Sequence, residues 1–233
     1  MPLPWLKPDK IVFPPIELAL KNPNGLLAAG GALSKDWLMS AYRHGAFPWY
    51  ESGQPILWWS PDPRLVLTPE SLKISRSLRK LLRKNRYNIS FDTCFSEVIN
   101  HCSEARRDGG GTWITNDIKE AYIMLHEEGY AHSVEVFYNG DLVGGLYGVG
   151  LGKVFFGESM FSKEDNASKI ALVYLIRHIA YWGFKLIDCQ VSSKHLFSLG
   201  AIEISRTEFC GRLKNLLQSK DKIGKWRFDA NLT

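Results

Sequence analysis

The sequence predicts an α+β protein in two parts. A small, irregular, aromatic- and proline-rich unit spans residues 1–62, and a unit over 63–233 is built on a mixed sheet flanked by helices. Three observations predict this. All 11 prolines lie at or before Pro69, where a fixed φ and a missing N–H favour turns. Five of the eight tryptophans lie in the first 59 residues. From residue 112 onward, apolar periods of two and of 3.6 follow one another: consecutive strands, a long helix, then strands and helices in alternation.

The elements follow in order. Ser34 caps a short helix over Lys35–Arg43, with Trp37, Leu38, Ala41 and Tyr42 on one stripe and Gly45 beyond its end. Residues 71–91 contain no Asp or Glu, while Lys73, Arg76, Arg79, Lys80, Arg83, Lys84 and Arg86 place seven positive charges in fourteen positions. Arg76, Arg79, Lys80, Arg83 and Lys84 share one helical face, either a solvated surface over Leu78, Leu81 and Leu82 or a phosphate contact. Thr115 caps a helix whose buried stripe is Ile118, Ala121, Tyr122 and Leu125 and which stops at Gly129. His132–Tyr138 alternates as a strand, Asn139-Gly140 is a hairpin turn, Asp141–Gly148 returns, and Lys153–Glu158 is a third strand. A helix runs from Asn166 to about Trp182 and closes at Gly183. A strand Phe184–Gln190, a helix Lys194–Leu199, a strand Ala201–Ser205 and a helix Thr207–Leu217 complete the pattern.

Composition narrows the function. The 233 residues carry 29 Lys and Arg against 24 Asp and Glu, a net charge of +5 that favours an anionic partner. No apolar run is long enough to span a bilayer, and Met1-Pro2-Leu3-Pro4-Trp5 lacks the blocks of a secretory signal, so a soluble, cytoplasmic protein without membrane partners is expected. Cys94, Cys102, Cys189 and Cys210 form no CxxC pair, so neither a metal site nor a disulfide framework is expected.

Most motif candidates fail. The glycine-rich run Gly144–Lys153 has Tyr147 and Val154 where a phosphate-binding loop needs Gly and Ser or Thr; its glycines instead suit bulges or close approaches. Gly157-Glu158-Ser159-Met160-Phe161 lacks the last glycine of a nucleophile elbow, and His126 is followed by Tyr130 where a zincin needs His. Cys189 with His195 reads first as packing. Asp188 and Gln190 survive. Two apart on a strand, they leave one face together, as a structural hydrogen-bonded pair or as a pair able to deprotonate an amine and donate to developing carbonyl charge. Glu158, at the end of the neighbouring strand, is placed to reach the same crevice.

Seven strings then occur in one order: Asn24-Gly25-Leu26-Leu27-Ala28, Phe47-Pro48-Trp49-Tyr50, Trp58-Trp59-Ser60-Pro61-Asp62-Pro63-Arg64, Gly111-Thr112-Trp113-Ile114-Thr115, Gly157–Ser162, Asn166-Ala167-Ser168-Lys169 and Ile187-Asp188-Cys189-Gln190. Together, from about Phe13 to Phe209, the chain resembles the leucyl/phenylalanyl-tRNA–protein transferase family.

The resemblance implies a GNAT-like acyltransferase fold for the second unit. It also implies transfer of Leu, Phe or Met from aminoacyl-tRNA to the α-amine of proteins beginning with Arg or Lys, which marks them for N-end rule degradation. An aminoacyl ester is already activated, so no cofactor is expected. Asp188 is assigned to holding or deprotonating the amine, and Gln190 to orienting substrate and tetrahedral intermediate. By similarity, Leu146, Phe155, Leu172 and Ile187 line an apolar side-chain pocket with Glu158 at its polar end, although ordinary core is the plainer reading of those four. Trp49 and Trp113 are the family-matched platform for the 3′ adenosine, and Arg76, Arg79, Lys80, Arg83 and Lys84 the phosphate contacts. A monomer is expected. Two rivals remain: a CoA-dependent acyltransferase, disfavoured by Glu164 and Asp165 on the loop where pyrophosphate would bind, and a non-catalytic RNA-binding module.

Overall fold

The computed structural model describes residues 2–104 and 112–232. Gly111 of the fourth string lies outside them. Against expectation, the N-terminal part holds a four-stranded sheet. Its strands are β1 (Trp5–Leu6), β2 (Leu26–Gly30), β3 (Phe47–Pro48) and β4 (Leu57–Trp59), in the order β1-β2-β4-β3. The strands are two to five residues long, too short for an alternation to show between prolines. Helix α1 (Lys35–His44) has Ser34 at its N-cap position and ends at Gly45, whose φ of 84° is the left-handed conformation of a helix C-cap.

The second sheet has seven strands: β5 (Arg64–Leu67), β6 (Asn88–Phe91), β7 (Ala131–Tyr138), β8 (Asp141–Leu151), β9 (Val154–Ser162), β10 (Leu186–Gln190) and β11 (Ile202–Ile204). Their order is β11-β5-β10-β9-β8-β7-β6. Every neighbouring pair is antiparallel except β9 and β10, which α5 (Ala167–Tyr181) connects as a crossover. The remaining helices are α2 (Arg76–Arg83), α3 (Phe95–Ser103), α4 (Asn116–Glu127), α6 (Lys194–Ser198) and α7 (Arg206–Leu216). Thr115 caps α4 by accepting from the Ile118 N–H at 3.3 Å.

The strand pleat divides the core in two. Leu65, Leu67, Leu146, Phe155 and Ile187 pack with α5, whereas Val66, Tyr147, Phe156 and Leu186 pack with residues of α1, α3, α4 and α7. The β8 glycines serve close approach: a Cβ on Gly144 would lie 2.4 Å from that of Ala167, and one on Gly148 would lie 2.2 Å from the Phe156 carbonyl oxygen. The small sheet with α1 shares the second of these cores, so side chains of both parts meet beneath β9 and β10.

Candidate active site

The parallel pair β9–β10 ends early. Pairing runs from Leu186 opposite Val154 to Asp188 opposite Phe156, while β9 continues to Ser162. Bulges accompany the parting on both strands. On β9, Gly157 and Ser159 pair with consecutive residues of β8, leaving Glu158 as the extra residue. On β10 the register against β5 shifts between Asp188 and Gln190, and Gln190 adopts φ 64°.

These irregularities decide what Asp188 and Gln190 bond to. Both side chains stay on the sheet face toward α1 and α4, as the spacing predicts, but they bond different neighbours, Asp188 toward β5 and Gln190 toward β9. Asp188 is 0% exposed and grips Arg64, with Nε donating to Oδ1 at 2.8 Å and Nη2 to Oδ2 at 2.6 Å. Its Oδ1 also accepts from the Gln190 backbone N–H at 3.0 Å. Fully buried and with both oxygens bonded, the side chain lacks the access that an amine-holding base needs.

Gln190 reaches toward β9 and donates from Nε2 to Glu158 Oε1 at 2.8 Å. Glu158 also accepts from the Tyr42 hydroxyl at 2.7 Å on Oε1 and from the Tyr122 hydroxyl at 3.0 Å on Oε2, and the two hydroxyls touch each other. Burial pushes the Glu158 carboxyl up to about 7; the bonds from Tyr42, Tyr122 and Gln190 pull it down and the Asp188 charge pushes it further up. Burial likewise holds the phenols of Tyr42 and Tyr122 well above their ordinary range, so both keep their protons. Neither tyrosine was singled out as a site residue from the sequence, because each sits on its helix's apolar stripe and reads as core.

The other expected residues fall into three places. Trp49 is 42% exposed and packs against Trp59 with ring centroids 5.4 Å apart. Trp113 is half-buried, and the Tyr50 hydroxyl beside Trp49 faces Thr115 and Asp117, so the two tryptophan-bearing segments adjoin. Leu146, Phe155, Leu172 and Ile187 are 1–3% exposed and form core with α5, on the sheet face away from Asp188. On α2, Arg76, Arg79, Lys80, Arg83 and Lys84 are exposed around buried Leu78, whereas Arg86 is engaged with Tyr87 and Glu164.

A carboxyl, an amide and two phenols at the parting of two strands can orient a polar substrate and pass protons, which is the equipment of a group-transfer enzyme. Comparison with known proteins makes this particular. The model of the leucyl/phenylalanyl-tRNA protein transferase family matches residues 66–214, and that of its N-terminal domain matches 31–62. A leucyl/phenylalanyl-tRNA–protein transferase of Aromatoleum aromaticum is 58% identical over 96% of this chain and 94% of its own. One of Pseudomonas fluorescens is 57% identical over 96% of this chain and 99% of its own. The chain belongs to this family. Among the described residues, no helix is long and apolar enough to cross a membrane.

Proposed function

We propose that this chain moves Leu, Phe or Met from aminoacyl-tRNA to the α-amine of proteins beginning with Arg or Lys, and so marks them for N-end rule degradation in the cytoplasm. Units over 1–62 and 63–233 share the site, the second with the GNAT-like arrangement of a parted parallel strand pair, and one chain suffices. The observation that carries the reading is the Gln190–Glu158–Tyr42–Tyr122 cluster where β9 and β10 stop pairing.

In the reaction the amine nitrogen attacks the ester carbon. A C–N bond forms, the C–O bond to the ribose breaks, and one amine proton ends on the departing ribose oxygen. An α-amine with a pKa of about 8 is partly neutral near pH 7, so the protein mainly positions it. One Nε2 hydrogen of Gln190 is held by Glu158; the amide oxygen is left to accept from the amine, and the second hydrogen to meet the tetrahedral oxygen. Asp188 acts behind Gln190 rather than on the amine. The donor's side chain enters between β9 and β10 toward Leu146, Phe155, Leu172 and Ile187, and burying it is worth ~1.5–3 kcal/mol. Trp49 and Trp113 stack the terminal adenosine, worth ~1–3 kcal/mol per base.

A CoA thioester is a poorer fit. At the start of α5 the Ser168 N–H is already taken by Ser162 Oγ at 2.8 Å, and Glu164 stands on the preceding loop.

The test is transfer of radiolabelled Leu from Leu-tRNA to a peptide beginning with Arg. Gln190→Ala is expected to lower turnover at least ten-fold while tRNA still binds; wild-type protein that binds tRNA without turnover would support the RNA-binding module. A second outcome concerns α2. Neutralising Arg76, Arg79, Arg83 and Lys84 is expected to weaken tRNA binding and to flatten the slope of log affinity against log salt by roughly 3, since each phosphate contact contributes ~0.7–0.9. Filter binding across a salt series reads this directly, and an unchanged slope refutes the contact.

A further inference from the structure

The mechanism leaves the buried charge of Arg64 unused. Arg64, the last residue of the Trp58–Arg64 string and the first of β5, is fully buried. Its guanidinium lies between two rings, 4.8 Å from the centroid of Phe47 on β3 and 4.5 Å from that of Phe209 on α7. Two of its nitrogens are spent on Asp188, and among the described residues Nη1 has no hydrogen-bond partner. The rings and the Asp188 carboxylate are thus what set its orientation.

We propose that Arg64 is a positioning residue for the transfer reaction, acting through Asp188 on the backbone of Gln190. The argument rests on the reading of Gln190 as the group that meets substrate. The Arg64 fork fixes the plane of the Asp188 carboxylate, because two parallel N–H···O bonds leave it no rotation. Oδ1, which receives Arg64 Nε, is also the atom that accepts from the Gln190 N–H two residues on. Such a side-chain-to-backbone bond closes a turn of the Asx kind and stabilises the left-handed conformation of Gln190, uncommon for a residue with a side chain. That conformation, at the bulge, carries the Gln190 amide away from β5 and onto Glu158. Apolar residues of similar volume would hold β5 against β10 at least as well as a buried ion pair does, so what this pair supplies is direction. The chain of contacts starts in the small sheet, since Phe47 is one of the two plates that hold the guanidinium flat.

The test compares Arg64→Lys, Asp188→Asn and their double variant with wild type in the peptide-transfer assay, and measures Leu-tRNA affinity separately in the absence of acceptor. Lysine keeps the charge but cannot grip both oxygens. Arg64→Lys is expected to lower kcat ten-fold or more with donor affinity within two-fold of wild type, and the double variant to fall no further than the weaker single one, as residues of one relay do. The proposal is overturned if Arg64→Lys keeps the wild-type kcat, if its donor affinity falls in step with kcat, or if the two losses multiply. Should Arg64→Lys fail to fold, Phe47→Leu decides: it removes one plate without touching a charge, and a three-fold loss of kcat at unchanged donor affinity is expected, whereas an unchanged kcat overturns the relay. Gln190→Ala, run alongside, keeps the two failures apart. If it transfers at the wild-type rate, the reading of the site is wrong, whatever Arg64 does.

Discussion

Asp188→Ala is expected to cost about 3–5 kcal/mol of folding stability, because it strands the Arg64 guanidinium, 0% exposed, without its counter-charge. Loss of transfer in that variant therefore says nothing about a base; it reports a destabilised fold together with a Gln190 backbone that has lost its partner. A double replacement separates the two effects. Arg64→Met with Asp188→Leu fills the same space with apolar groups and is expected to recover most of the lost stability, since well-packed apolar residues replace buried ion pairs at little or no cost. Transfer is not expected to return, because nothing then holds the Gln190 backbone. Urea denaturation of the single and double variants measures the first effect, with an unchanged m-value required for the comparison, and peptide transfer measures the second. An Asp188→Ala protein as stable as wild type would show that the guanidinium finds other partners.

The sequence showed this site only in part, for physical reasons that differ by residue. Long periodic segments were legible: α1 with Ser34 and Gly45 at its ends, the hairpin at Asn139-Gly140, and α5 all appear within a few residues of the expected bounds. Helix α3 was missed although Phe95, Val98, Ile99 and Cys102 carry helical spacing, because a nine-residue element between polar stretches gives only about two turns of pattern. Strands β5 and β6 were missed for the same shortness. The parity argument that puts Asp188 and Gln190 on one face agrees with their partners, but the bulges that send one to β5 and the other to β9 leave no mark in the residue alternation. Arg64 stands 124 positions from Asp188, and nothing local couples them. Tyr42 and Tyr122 were correctly placed on buried stripes, yet a phenol on such a stripe has the same apolar body whether its hydroxyl is idle or bonded to a carboxylate.

The N-terminal part is therefore more than a platform attached to a transfer domain. Tyr42 of α1 reaches Glu158 directly, and Phe47 of β3 reaches Gln190 through Arg64 and Asp188. Two contacts cross the seam and converge on one residue, one on the Gln190 side-chain amide and the other on its backbone N–H. The second family model, which matches residues 31–62, spans both of these residues.

The protonation of Glu158 gives the other large effect, and its sign can be worked out. The Tyr42 and Tyr122 hydroxyls and the two Glu158 oxygens form a ring of three contacts: phenol to phenol, and each phenol to one oxygen. With Glu158 ionised, two phenolic hydrogens must serve three contacts; with Glu158 protonated, three hydrogens serve three. The acid form completes the ring; burial is what pushes the carboxyl up to about 7 from an ordinary 4.5, against the pull of the phenol bonds on the ionised form. The unfolded chain releases this proton near 4.5 and the folded chain only near 7. Below 4.5 the group's contribution to stability is fully present; it falls as pH rises through 7, by about 3 kcal/mol in all at 1.36 kcal/mol per unit. Glu158→Gln has no such titration. The stability of wild type relative to Glu158→Gln is therefore expected to decline by about 3 kcal/mol between pH 4.5 and pH 8, and urea denaturation of both proteins across that range measures it. A constant difference would mean that Glu158 ionises in the folded protein as it does in the open chain. In that case the three contacts would have to survive on two hydrogens, and the phenol-to-phenol contact would open.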